Sequence, residues 1–436
     1  MRIERLGKLG SAPAVLRNLA AACTRLELPP PAALIGEWFE SSAVIAPSVV
    51  IEPVGPGGAF DAAAGGVSVS ADDTAAGVVG GGWIGFLSYP DPAPYAAGGW
   101  TDCVLRKDRD SVWWYESLSG APCPEWVAIA AGVGAAATAV PSRPWHIDWT
   151  TPDRDSHRAG VHNCLDAIAA GEVYQACVCT HFSGQLRGET MDFFTDKVTD
   201  TQPARAAYLA GDWGAVVSLS PELFLRRRGG VIASSPIKGT IPLDHPPSEL
   251  ASSVKDVAEN IMIVDLVRND LSRVATTGTV RVPELLAIKP APGVWHLVST
   301  VSAQVPPDTS MAAVLDATFP PASVTGTPKL RARELLAGWE PYSRGVYCGT
   351  IGLASPVGGT ELNVAIRTVE FDAHGNAVLG VGGGITADSD PDREWDECLH
   401  KAAPITGSFA TATPRRTAPG AAAPPDARQP PARTHP

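Results

Sequence analysis

Apolar and polar positions alternate in short, punctuated runs along most of this chain. Residues 44–50 and 78–87 are apolar stretches bounded by Gly and Pro, which predicts strands, and 112–115 predicts another. The Pro-rich stretch 90–100 reads as a loop and the Ala/Gly/Pro-rich stretch 126–144 as a connector. Ser156 is a candidate N-cap for a helix that runs to Ala170 and is stopped by Gly171. Residues 173–182 predict a strand, and 216–228 with 231–235 predict a hairpin about Gly229-Gly230. Over 254–274 the stripe Val257, Ile261, Val264 and Leu271 predicts the longest helix. A strand (294–305), two helices (311–318 and 328–337), three strands (345–354, 361–371 and 377–382) and a final helix (392–402) follow. Strands in hairpin order with helices in blocks favour an α+β fold with antiparallel sheets over a doubly wound parallel sheet.

Composition narrows the class. The chain has 436 residues, 45% hydrophobic and 18% charged, as a globular protein does. A net charge of -12 excludes a general nucleic-acid binder, which needs a basic face for phosphates. It leaves an anionic substrate open, because a local cation can oppose the global sign. The eight cysteines include Cys177 and Cys179 but no CxxC, so zinc-ribbon and thioredoxin readings fail and free thiols in a reducing cytoplasm are expected. The charged start, broken by Arg17, predicts no signal peptide. The longest uncharged apolar stretch, 126–140, is too short to span a bilayer. Three regions are expected: a strand-rich part at 1–150, a catalytic region at 151–410, and a disordered Pro/Ala-rich tail at 411–436.

The candidate chemistry centres on Lys238, in a Pro/Gly-framed turn after Ser220-Pro221-Glu222. Asp256/Glu259 and Glu394/Glu397 each stand three residues apart in a predicted helix, so each pair shares one helix face. An amine nucleophile, a nearby carboxylic acid and two carboxylate clusters point to metal-assisted chemistry on an anionic small molecule. P-loop, HExxH and GxSxG motifs are absent. The glycine run 380–384 misses the GxGxxG register and reads either as a tight turn or as backbone that approaches a ligand.

The chain resembles the chorismate-utilising enzymes. The matching segments are GEVYQ (171–175), SPELFL (220–225), PIKGT (236–240), KDVAENIMIVDLVRNDLSRV (255–274), VWHLVSTV (294–301), FPPASVTGTPKLRARELL (319–336), YCGTIG (347–352), NVAIRT (363–368) and GVGGGITADSDPDREWDECLHKA (380–402). The resemblance implies two large antiparallel sheets packed as a sandwich with helices outside. Gln175 stands where isochorismate and salicylate synthases carry a lysine base, and PIKGT is similar to the branch that makes 4-amino-4-deoxychorismate. Anthranilate or aminodeoxyisochorismate synthesis is the alternative within the family, and a non-catalytic regulatory subunit the alternative outside it.

The resemblance also implies roles. Glu259 and Glu397 would bind Mg²⁺ directly, with Asp256 and Glu394 behind them. Lys238 would attack the ring at C2 while Glu222 protonates the departing C4 hydroxyl, and His296 would lie near C4. Thr325 and Gly326 would meet the ring carboxylate, and Arg367, Tyr347 and the backbone of Gly382, Gly383 and Gly384 the enolpyruvyl group. Gln175, Thr240 and Lys401 complete the substrate-binding set, and Lys329 adds positive potential or starts a helix. Ammonia would come from a separate glutamine amidotransferase subunit, because nothing in the chain resembles a Cys-His-Glu amidotransferase. Departures from the family pattern include Val257, Ala322 and Cys177-Val178-Cys179.

Overall fold

The computed structural model describes residues 1–62, 77–134 and 139–407. The expected tail at 411–436 lies outside the described residues. Among the described residues two antiparallel sheets, of twelve and ten strands, form the body, and both draw strands from either side of residue 150. In the larger sheet the sequence Arg205–Gly211, Gly214–Ser220, Thr368–Asp372, Asn376–Ile385, Gln175–Arg187 lies side by side. In the smaller the run is Ile237–Pro242, Val294–Gln304, Val231–Ser235, Leu223–Arg228, Gly359–Val364, Thr350–Ser355, Gly82–Leu87.

Period-two alternation decides what each face meets. In the strand Ala32–Trp38, Ala32, Leu34 and Trp38 face the space between the sheets, packing with Ile84, Phe86, Ile351 and Leu353 of the smaller sheet. Ala33 and Ile35 face the other way, under a layer of helices that includes Ala12–Arg25 and Thr190–Thr201. Leu16, Leu19, Phe193 and Phe194 anchor those helices and are fully buried, each contributing about 2 kcal/mol of apolar burial. On the smaller sheet Phe224, Ile232 and Val301 pack against the helix Val254–Ser272.

Several expectations change here. The helix spans Val254–Ser272, but its buried stripe is rotated: Ile263, Val264, Val267 and Leu271 face inward with Glu259 and Asn260, while Ile261 is 47% exposed. Polar residues occupy part of the inward face, so apolar periodicity alone points the helix wrongly. The stretch read as a loop contains the strand Ala96–Thr101. Its glycines serve close packing: a Cβ on Gly98 would lie 2.1 Å from the Trp83 ring, and one on Gly99 1.9 Å from the Val50 carbonyl. The connector holds a helix, Glu125–Ala131. The helix expected to start at Ser156 starts at Arg154, capped by the Asp153 side chain. The helices Ala12–Arg25 and Thr190–Thr201 and the largely exposed strand Arg281–Ala291 were not predicted.

Two stretches predicted as single strands are each broken into two. Gly214–Ser220 belongs to the larger sheet and Leu223–Arg228 to the smaller, with Pro221-Glu222 between them. Gly359–Val364 belongs to the smaller sheet and Thr368–Asp372 to the larger, with Arg367 between them at a φ of +52°. Proline has no N–H for a ladder, and a left-handed residue turns the chain. The two crossings are bonded together: Leu219 N–H donates to the Arg367 carbonyl at 2.9 Å, and Val364 N–H to the Glu222 carbonyl at 3.0 Å.

Candidate active site

The paired crossings bring Glu222 and Arg367 to one place, close enough to interact electrostatically. Glu222 is buried, and its Oε1 has no hydrogen-bond partner. Burial raises its carboxyl above the ordinary value, against the opposing pull of the Ser323 hydroxyl and the charges of Lys238 and Arg367. A carboxyl raised in this way holds its proton to higher pH than an ordinary glutamate, which suits it to donate one.

Lys238 lies on the strand Ile237–Pro242, and its amine donates to the Ser323 carbonyl at 3.0 Å. His296 stands opposite Thr240 on the neighbouring strand, with Nδ1 2.9 Å from Thr240 Oγ1. Burial, aided by the charge of Arg367, lowers His296 to about 4, so it is neutral near pH 7.

The glycine run is a strand, which removes the tight-turn reading. Gly382, Gly383 and Gly384 pair with Cys179, Val178 and Cys177 in a continuous ladder. Alternation along the strand puts the missing side chain of Gly384 on one face and that of Gly383 on the other. A Cβ on Gly384 would sit 3.5 Å from Lys238 Nζ and 3.9 Å from both Gln175 Oε1 and Glu259 Oε2. A Cβ on Gly383 would sit 3.0 Å from Glu394 Oε2 and 3.8 Å from both Glu397 Oε1 and Lys401 Nζ. These two glycines therefore mark where the lysine, the glutamine and both acidic helices converge. Gln175 is buried there with an unpartnered Oε1, an acceptor awaiting a donor.

The two acidic helices come together at this end of the strand, where Lys255 lies within 4 Å of both Glu259 and Glu394. Burial raises the Glu259 carboxyl, partly offset by Lys238 and Lys255. Burial works against ionisation of Glu397, but Lys401 at 2.7 Å together with the charges of Lys255 and Lys238 holds that carboxyl below its ordinary value. Lys401 also donates to the Gly382 carbonyl at 2.7 Å. Asp256 and Glu394 accept from the Ser253 and Ser389 hydroxyls at 2.5 and 2.7 Å. Among the described residues no three His, Cys, Asp or Glu side chains close a cage by themselves. Mg²⁺ needs none: it takes one or two carboxylates and completes its shell with water and substrate. An oxygen-only donor set, with the Lys255 ammonium lying between Glu259 and Glu394, fits a hard cation.

Other expected residues are placed differently. Thr325 is buried, and its hydroxyl bonds the Pro321 carbonyl at 2.8 Å. Gly326, at φ +152°, abuts the Gln175 carbonyl, which a Cβ would approach to 2.6 Å. Tyr347 packs its ring on Gly380, with its hydroxyl 3.9 Å from Cys179 Sγ. Lys329 starts a helix, Lys329–Trp339, and turns its amine to Asp270 at 2.5 Å and to the Thr318 and Pro320 carbonyls, away from Lys238. A cleft of about 1240 Å³ is lined by Tyr174, Ile261, Leu330 and Lys329 among others. The charged groups converge elsewhere.

Sequence reasoning missed the residues that hold the site together. Asn260 donates to the Leu297 carbonyl at 3.1 Å and accepts from Ser299 at 2.5 Å, tying the Glu259 helix to the His296 strand. Arg344 donates to the carbonyls of Cys177 (2.6 Å) and Val324 (2.8 Å), and its partner Glu340 accepts from Cys179 N–H at 2.9 Å. An Asn within an apolar helix face was an available signal for the first. Arg344 and Glu340, four apart near a turn, look like a surface pair in the sequence.

The profile of the family described as chorismate binding enzyme matches residues 103–407. A protein of Klebsiella aerogenes named aminodeoxychorismate synthase component 1 is 42% identical over 241 residues, 54% of this chain and 53% of that one. The protein of the same name from Escherichia coli (strain K12) is 38% identical over 262 residues, 58% of each. The matches thus span little more than half the length of these relatives. The crystal structure of anthranilate synthase component I from Streptococcus pneumoniae TIGR4 superposes with a TM-score of 0.64 at 25% identity, covering 75% of this chain and 81% of that one.

Proposed function

The chain belongs to the chorismate-binding enzymes, and from that premise we propose that it converts chorismate and ammonia to 4-amino-4-deoxychorismate. The observation that carries this reading is the Lys238 amine beside the bare Gly384 backbone, facing Glu259, with the buried acid Glu222 in its field. The names of the two relatives support the reaction, and the word component in them supports a second subunit that delivers ammonia. The eight free thiols are consistent with a reducing, cytoplasmic setting. No helix among the described residues is long and apolar enough to cross a membrane.

The Lys238 nitrogen, once unprotonated, attacks ring C2; the two ring double bonds shift, and the C4–O bond breaks. Glu222 gives its proton to the departing hydroxyl, which leaves as water. Ammonia then adds at C4, the double bonds shift back, and the C2–nitrogen bond breaks to free Lys238. The proton lost by the new C4 ammonium returns to Glu222, so the sum is chorismate plus ammonia to product plus water. Gln175 and Arg367 orient the substrate's polar groups, and neutral His296 lines the C4 side. With Glu259 and Glu397 as ligands and Asp256 and Glu394 behind them, a bound Mg²⁺ would offset the charge of the ring carboxylate.

The test is incubation with chorismate, Mg²⁺ and ammonium, followed by mass identification of the product. Aminodeoxychorismate that disappears in Lys238→Ala supports the mechanism; full-rate formation by that variant refutes it. Fluorescent anthranilate would instead support the second reading, which the Streptococcus match favours. No chorismate consumption would indicate a regulatory subunit.

A further inference from the structure

The gap between the two acidic helices is bridged by a cation of the protein's own. Lys255 Nζ lies 3.6 Å from Glu394 Oε1 and 3.9 Å from Glu259 Oε1. Lys255 and Glu259 share the helix Val254–Ser272, while Glu394 is on the helix Pro391–Thr406, so the ammonium spans both. Both carboxylates are buried. Three lysines face this acidic group, and the other two are committed: Lys238 to the Ser323 carbonyl, and Lys401 to Glu397 and the Gly382 carbonyl. The separations at Lys255 are charge contacts beyond hydrogen-bond length, so the ammonium is attracted but not latched. Its side chain is 49% exposed, with a flexible stem able to swing into water.

We propose that Lys255 is an intramolecular competitor for the metal. In the metal-free protein its ammonium holds the carboxylates of the two helices together; when Mg²⁺ enters, the like charges repel and the side chain withdraws. Lys255 thereby sets the metal affinity and keeps four clustered carboxylates from forcing the helices apart when metal is scarce. This inference rests on the metal site proposed above. It concerns occupancy of the gap rather than the chemistry on the ring.

Calorimetric titration of the substrate-free protein with MgCl₂ alone tests it, using wild type, Lys255→Met, Lys255→Arg and Lys107→Met. The last removes the same charge on a strand, Cys103–Lys107, near the far end of the larger sheet. Loss of two loose, partly exposed charge contacts should tighten Mg²⁺ binding about five- to tenfold in Lys255→Met. Lys107→Met should stay within about twofold and Lys255→Arg should bind no more tightly than wild type. Without metal, Lys255→Met should also melt below wild type, and saturating Mg²⁺ should close that difference. Equal or weaker Mg²⁺ binding by Lys255→Met overturns the proposal while leaving the metal site standing. Mg²⁺ binding to none of the four proteins removes the metal site and the proposal together.

Discussion

Gly384→Ala separates stability from activity, and its outcome can be worked from the structure. Gly384 lies in a regular ladder opposite Cys177, and its φ is outside the left-handed region. Alanine therefore fits the backbone without strain. The new methyl would lie 3.5 Å from Lys238 Nζ and 3.9 Å from Gln175 Oε1 and Glu259 Oε2, ordinary contact distances that require no neighbour to move. Replacing a strand glycine gains about 0.5–1 kcal/mol, chiefly by reducing the freedom of the unfolded chain. The melting temperature should hold or rise by roughly 1 °C for a chain of this size. In the proposed reaction a ring carbon reaches the lysine amine through the space this methyl fills. A displacement of about 1 Å from reacting geometry costs roughly a hundredfold in rate. Thermal unfolding and steady-state chorismate consumption, measured on one preparation, check both halves. A variant that melts normally and turns over within twofold of wild type would mean that ring chemistry occurs away from the Lys238–Gly384 face.

Glu222→Gln should lower turnover by about a hundredfold or more by removing the acid. It should also stabilise the protein at pH 7–8: the raised carboxyl gives wild type stability that is complete at low pH and fades as pH climbs through its folded value. Urea melts at pH 4 and pH 8 should show that advantage only at the higher pH. His157 and His296 are both lowered to about 4, mainly by burial, so the unfolded chain binds their protons first. Stability should fall as pH drops from about 6.5 to 4, by about 3 kcal/mol for each histidine, and His157→Gln should flatten the profile by its share. Arg205 and Glu361 form a buried pair at 2.5 Å, and Glu361 also accepts from Phe39 N–H at 2.9 Å. Glu361→Ala should cost about 3–5 kcal/mol in chemical denaturation by stranding the Arg205 charge; a loss below about 1 kcal/mol would contradict that accounting.

The fold class was legible because strands with buried faces carry apolar runs, and the hairpin at Gly229-Gly230 forms with Arg228 opposite Val231 as its turn residues require. Elements with the wrong surface chemistry were not. The strand Ala96–Thr101 is built on glycines that admit Trp83 and the Val50 carbonyl, so it reads as a loop. Arg281–Ala291 is an edge strand with exposed residues on much of its length, so it shows no alternation. In the helix Val254–Ser272, Glu259 and Asn260 take inward positions that apolar residues would otherwise mark, and the predicted stripe slipped towards exposed Ile261. That slip and the acidic cluster have one origin, since Glu259 faces inward to the cluster and Asn260 faces inward to tie the helix to Leu297 and Ser299.

The same conflict explains the two broken strands. Residues 216–228 and 361–371 are each apolar enough to read as one strand, and a single strand would keep each segment in one sheet. Pro221 and the left-handed Arg367 break the ladders, and the chain passes between sheets at both points. A crossing leaves backbone groups without ladder partners, and here each crossing supplies the other's: Leu219 N–H to the Arg367 carbonyl and Val364 N–H to the Glu222 carbonyl. Two crossings bonded in this way cannot sit far apart, so Glu222 and Arg367 at the breaks feel each other's charge whatever their separation in sequence. Glu222 sits at the first crossing, buried and with no partner for Oε1. The break in each strand and the nearness of Glu222 to Arg367 are thus consequences of a single choice, to pass the chain twice between the sheets at one place.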